Sequence, residues 1–258
     1  MKLRSLLALL SAILVLHAAA APSTGPRHWN SQDGRTLFGT FVSADPEALS
    51  ITIRRPNGTT VEIPVDQLAG EDIIFASKLV EASIAEAKAA ELEKKKKKSL
   101  DGPLTFSLSQ GSEDWPEDRK RMIVKAMEEA VAYFNENADF KKHVTANNSP
   151  GTPTADANYD GWINWGGSIS RRVALHEIAH TLGIGTHWDW QKHIKDGQWT
   201  GKHAVAQLKE FDGPDAVLHA DRMHFWPYGL NFDNESSKKN DMRFLKMVEA
   251  FRKDLGIR

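Results

Sequence analysis

The stretch His176-Glu177-Ile178-Ala179-His180-Thr181-Leu182-Gly183-Ile184-Gly185-Thr186-His187 carries most of what this sequence says about its own fold and chemistry. Residues four apart on a helix lie one turn above each other, so His176 and His180 can present two imidazole nitrogens to a single metal ion. Glu177 then stands beside that ion, where its carboxylate can take a proton from a water and pass it to a departing amine. Zn2+ is the expected metal, because it brings the pKa of a bound water down to about 7. The segment reads as a helix: Val173, Ala174, Leu175, Ile178, Ala179 and Leu182 supply apolar positions around the polar triplet, and no proline interrupts them. Gly183 suits the left-handed residue that closes a helix and turns the chain back towards a third ligand. His187 is the nearest candidate for that ligand and leaves one coordination position open. His193, His203, His219 and His224 are the other candidates, His224 foremost.

These residues resemble the signature of the metzincin superfamily of zinc endopeptidases, H-E-x-x-H-x-x-G-x-x-H followed by a methionine-containing turn. The glycine stands where the family has it, and His187 lies eleven residues after His176 where the family has ten. Gly185 suits a bulge that absorbs the extra residue. The resemblance implies zinc held by His176, His180 and His187, with Glu177 as general base. The segment Asp221-Arg222-Met223-His224-Phe225-Trp226-Pro227-Tyr228 is similar to the methionine turn. That implies Met223 as an apolar floor beneath the imidazoles and Tyr228 as a donor to the oxyanion. In metzincins the strand before the zinc helix borders the cleft and pairs with an extended substrate, and the run Gly161-Trp162-Ile163-Asn164-Trp165-Gly166 is the candidate here. A core methionine, a turn tyrosine and an ordinary edge strand are the plainer readings of the same residues.

Residues 1–20 combine Lys2 and Arg4, an apolar run from Leu6 to Leu16 and small residues before Pro22, the pattern of a cleaved signal peptide. The apolar run is short for a bilayer span, so no stable span is expected after cleavage. The chain has no cysteine, which leaves packing and metal binding to stabilise an exported protein and fits a bacterial, secreted or periplasmic one. A formal net charge of -1 gives no electrostatic footprint for nucleic acid.

Outward from the zinc helix the chain reads as α+β in two parts. Residues 21–69 contain short alternating segments at Thr36 to Val42, Leu49 to Arg54 and Thr59 to Val65, with a hairpin signal at Asn57-Gly58, and suggest a small SH3-like β-barrel. Trp29, Gly34-Arg35-Thr36 and Val61-Glu62-Ile63-Pro64-Val65 resemble the Sla-type homology domain. Residues 70–100, rich in Ala, Glu and Lys, read as a helical linker. Residues 101–258 carry the chemistry: a strand at Leu104 to Leu108, a helix from Glu117 to Ala138, strands at Val144 to Asn147 and Trp162 to Trp165, the zinc helix, a short helix at Ala204 to Phe211 and a closing helix from Lys239 to Leu255. This order resembles a metzincin-like zincin domain with a mixed sheet, long helices and an active-site helix.

The leading expectation is a secreted zinc metallopeptidase acting on protein or peptide. Seven of the eight tryptophans lie in the second part, which keeps a glycoprotein or cell-wall substrate open, since aromatic faces also stack on sugar rings. The competing expectation is a non-catalytic surface or glycan-binding protein that keeps zinc for stability.

Overall fold

In the computed structural model residues 25–257 are described, so the signal-peptide expectation at residues 1–20 lies outside them. No helix among the described residues is long and apolar enough to cross a membrane. The fold is α+β, with five α-helices, antiparallel sheets and one mixed sheet among the described residues. The chain divides into two compact units, with the boundary between Lys94 and Lys95.

In the first unit β1 (Arg27–Asn30), β2 (Thr36–Asp45), β3 (Ser50–Arg54) and β4 (Thr60–Pro64) form an antiparallel sheet in sequence order. Beyond β4 the chain returns to the end of β1, where the Gln32 amide donates to Gln67 O and the Ala69 amide to Asn30 O, both at 2.9 Å. Helix α1 (Glu71–Leu100) follows. It is more than the expected linker, because Ala76, Leu79 and Val80 are buried with Trp29, Ile51, Ile53, Val65 and Leu68. One face of a four-stranded sheet must be covered, and the apolar spacing of Ile73, Ala76, Leu79, Val80 and Ile84 supplies the cover. Asp72 fastens the start of this helix: it is 3 % exposed and accepts from the Arg27 guanidinium at 2.5 Å and the Asn30 amide at 2.8 Å.

The second unit is built on a mixed sheet of β5 (Leu104–Leu108), β6 (Lys142–Asn148), β7 (Ala155–Ala157) and β8 (Trp162–Trp165), in the order β5-β6-β8-β7. The first three in that order are parallel, and β7 runs antiparallel at the edge. Helix α2 (Glu117–Asn137) makes the crossover from β5 to β6 and buries Ile123, Met127, Ala130 and Phe134 in the same core as Leu104, Val144, Ala146, Ile163 and Trp165. Side chains of a strand alternate in direction, so the opposite face carries Thr105, Ser107, His143, Thr145, Asn147, Trp162 and Asn164. The expectation that Trp162 to Trp165 borders the cleft is corrected here. That strand is interior, paired with β6 on one side and β7 on the other, and the edge belongs to the three residues of β7.

Helix α3 (Arg171–Thr181) follows β8, capped by the Ser170 hydroxyl, which accepts from the Val173 amide at 3.3 Å. Arg171 at its start pairs with the buried Asp241 at 2.6 Å. Beyond it come four two-residue strands, β9 (Ile194–Lys195), β10 (Gln198–Trp199), β11 (His219–Ala220) and β12 (Phe225–Trp226), ordered β12-β11-β10-β9 in an antiparallel sheet. Helix α4 (Lys202–Asp212) lies between β10 and β11, and α5 (Lys238–Asp254) closes the unit with Phe244, Met247, Val248 and Phe251 in the core.

Candidate metal centre

Helix α3 places His176 and His180 as their spacing requires, with the two Nε2 atoms 3.1 Å apart. Each ring is fixed from behind by a main-chain carbonyl: Gly229 O lies 2.9 Å from His176 Nδ1, and Ile184 O lies 2.7 Å from His180 Nδ1. A ring that donates from Nδ1 to a carbonyl keeps its Nε2 lone pair for a metal, and the two Nε2 atoms here lie side by side. The Ile184 carbonyl reaches His180 because Gly183, at φ 113°, ends the helix and folds the chain back.

The third imidazole comes from the hairpin between β11 and β12. His176, His180 and His224 each offer a ligand atom, and these atoms all lie within 4.8 Å of one another. Three histidines so close together can hold a metal ion. His224 sits at the end of a tight turn in which Asp221 Oδ1 accepts from the amides of Met223 at 2.8 Å and His224 at 2.6 Å. The same carboxylate stands 3.5 Å from His224 Nδ1, close enough to orient the ring.

His187 does not join them. Its amide donates to Gly183 O at 3.1 Å, so the chain after the helix winds one more turn and carries the ring to Tyr159 and Trp188, with centroids 5.1 Å and 4.0 Å away. Gly185 serves another purpose than the expected bulge. At φ 70° its backbone presses on the Met223 turn, and a Cβ there would meet Met223 O at 2.1 Å. The close approach of residues 183–187 to that turn is what brings His224 to the helical pair. His219 faces Trp226, and His193 faces Trp199, away from the trio.

Tyr228 is also not where the resemblance implies. Its hydroxyl donates to Asp212 Oδ1 at 2.8 Å and accepts from Arg243, so its polar end is held by α4 and α5. Burial, and then Asp212, push its phenol above the usual range. Met223 does lie with the imidazoles, in a small space bounded also by Ala179, Ile184, Phe225 and Phe244.

The histidines open on a cleft of about 770 Å³ lined by Thr154 to Ala157, Arg172, Val173, Glu177, Asp221, Met223, Trp226, Asn231, Phe232 and Glu235. Trp226 is the one tryptophan among these lining residues; Trp165, Trp190 and Trp199 are core. Glu177 is 4 % exposed, and its Oε2 has no hydrogen-bond partner. Burial, and then the negative charge of Asp156, push its carboxyl up to about 8, against the opposing pull of Arg172. Burial likewise holds His176 down to about 3 and His180 to about 4, so both rings are neutral ligands at ordinary pH. Arg172 ties the cleft wall to helix α3: its guanidinium donates to Leu230 O at 3.1 Å and to Asp233 Oδ1 at 2.7 Å.

The wall segment gives a prediction. Gly229 packs so closely that a Cβ would lie 2.1 Å from Phe225 O, and its carbonyl flanks Tyr228 and Leu230 at φ 70° and 52°. Gly229→Ala must move that carbonyl off His176 Nδ1. Metal affinity should fall by about 10- to 100-fold, the usual effect of losing an orienting contact, as read by competition with a chromophoric chelator. Unchanged affinity would show that the carbonyl does not orient the ring.

Compared with protein-family models, with curated proteins and with solved structures, the chain matches none.

Proposed function

We propose that this chain is an exported bacterial zinc endopeptidase whose second unit is a metzincin-like zincin domain and whose first unit is an SH3-like domain of the Sla homology type. The observation that carries the reading is Glu177: a carboxyl group 4 % exposed, with Oε2 unpartnered, in a cleft beside three clustered imidazoles. A buried polar atom without a partner costs about 1–3 kcal/mol unless something outside the protein satisfies it. The donor set fits zinc, since three imidazoles with an open position are a catalytic zinc environment.

Zinc held by His176, His180 and His224 would supply a Lewis acid for the scissile carbonyl and lower the pKa of the attacking water towards neutrality. Glu177 holds that water at the cleft side of α3, takes its proton, and delivers the proton to the leaving amine. Asp221, Gly229 and Ile184 keep the three rings in place, so little reorganisation accompanies the reaction. The edge strand β7 and the loop Asn231–Phe232 both line the cleft, and an extended peptide is accommodated along β7 as an added strand.

The test is digestion of unfolded casein and of a random decapeptide library by the zinc-loaded chain, with products read by mass spectrometry. Internal cleavage should occur, stop with 1,10-phenanthroline and return when zinc is restored. An intact library after long incubation with the zinc-loaded protein would overturn the proposal.

A further inference from the structure

The polar face of the second unit's sheet carries a series of side-chain hydrogen bonds that runs from the end of β5 across β6 and β8 to β7 at the cleft. The Ser109 hydroxyl, directly after β5, donates to Asn147 Oδ1 at 2.9 Å. Asn147 Nδ2 donates to Asn164 Oδ1 at 2.9 Å, and Asn164 Nδ2 donates to Asp156 Oδ1 at 2.9 Å. Trp162 Nε1 adds a second donor to Asn164 Oδ1 at 2.9 Å. Every step runs in the same direction, so the series ends in a carboxylate on the edge strand. Each bond polarises the next, which fixes the orientation of that carboxylate. No Lys or Arg among the described residues pairs with it, and Arg172, the one such residue lining the cleft, is taken by Asp233.

The register of β7 says what a neighbour on its free side would meet. Thr154 O accepts from the Gly166 amide at 2.9 Å, the Asn158 amide donates to Trp162 O at 3.0 Å, and Asp156 lies opposite Asn164. These alternate residues turn their backbone groups towards β8, which leaves those of Ala155 and Ala157 turned to the cleft. In a strand added there, the residue opposite Asp156 forms a pair without backbone hydrogen bonds. Such pairs have Cα atoms about 4.5 Å apart and the closest side chains. That residue also shares Asp156's face of the sheet, because facing side chains in a ladder point the same way.

We propose that Asp156 is a specificity-determining residue that selects substrates carrying Lys or Arg at the position opposite it, extending the hydrogen-bond series by one cationic donor. The proposal rests on the reading of the cleft as a peptide-binding site along β7. Asn164 acts through Asp156 as a positioning residue, and a Glu side chain at the opposed position meets like charge.

The test uses three fluorescein-labelled decapeptide pools, randomised except for a central Lys, norleucine or Glu, titrated into the zinc-loaded Glu177→Gln chain so that nothing is consumed. The Lys pool should bind at least about threefold more tightly than the norleucine pool, in line with an opposed charge pair in a sheet. Adding Asp156→Asn should erase that difference without changing zinc content, and Asp156→Lys should shift the Lys-to-Glu ratio by on the order of tenfold towards Glu. Equal binding of the pools, a Lys preference that survives Asp156→Asn, or no binding of any pool would each overturn the proposal. Cleavage of the same pools by the unmodified chain is scored separately. Selective binding without cleavage leaves the Asp156 assignment standing and removes the peptidase reading, and cleavage without selection does the reverse.

Discussion

His224→Ala should leave the purified protein unable to retain zinc through dialysis, while His187→Ala should keep one equivalent per chain. The three ligand atoms of His176, His180 and His224 lie within 4.8 Å of one another, and His187 packs against Tyr159 and Trp188 instead. Removing His224 leaves two imidazoles and a cavity that water fills. The loss should exceed the roughly 100-fold that follows from removing an orienting contact alone. His224 is partly exposed at the tip of a hairpin, so its truncation leaves the core intact, and the far-ultraviolet circular dichroism of the variant should match that of the parent. The comparison is decisive because the sequence motif alone favours the other histidine. Zinc lost with His187 and kept with His224 would refute the hairpin ligand.

Glu177→Gln should retain zinc and lose peptide hydrolysis by about 10²- to 10⁴-fold, the range that a positioned acid-base group contributes. Glutamine fills the same volume and can hydrogen-bond a water, but its amide cannot accept a proton and return it. The carboxyl group is not one of the three clustered ligands, and it lies on the next residue of α3 after His176, so the change leaves the donor set untouched. The measurement pairs metal content with the initial rate on a peptide that the parent cleaves. Hydrolysis within a few-fold of the parent would assign the proton transfers to another group, and loss of zinc together with activity would make Glu177 part of the metal site.

The two-histidine helix and its glycine stop were legible because each is local: a period of 3.6 residues and a left-handed residue after the last turn. The same holds for β5, α2, β6, β8 and α5, whose apolar periodicity runs long enough to be read. What failed was short or remote. Three residues of β7 and two each of β11 and β12 are too few for any alternation to show, yet they form the cleft edge and the arm that carries His224. Gly185 is the one local trace of that arm. Its φ of 70° and its contact with Met223 explain its presence, but a glycine in a sequence does not name the segment that will press against it.

Sequence by itself therefore determined the two-histidine helix with its glutamate, the α+β order of elements and the absence of any disulfide option. Only the tertiary structure decided that His224, and not His187, lies with His176 and His180, that Tyr228 is held by Asp212 and Arg243, and that β7 rather than Trp162 to Trp165 forms the sheet edge. The physical reason is the range of the forces involved. Periodicity and capping act within a few residues and leave their mark on adjacent letters. Which hairpin reaches which helix depends instead on how the whole core packs, because the contacts that fix it join residues far apart in the chain, such as Gly185 with Met223 and His176 with His224.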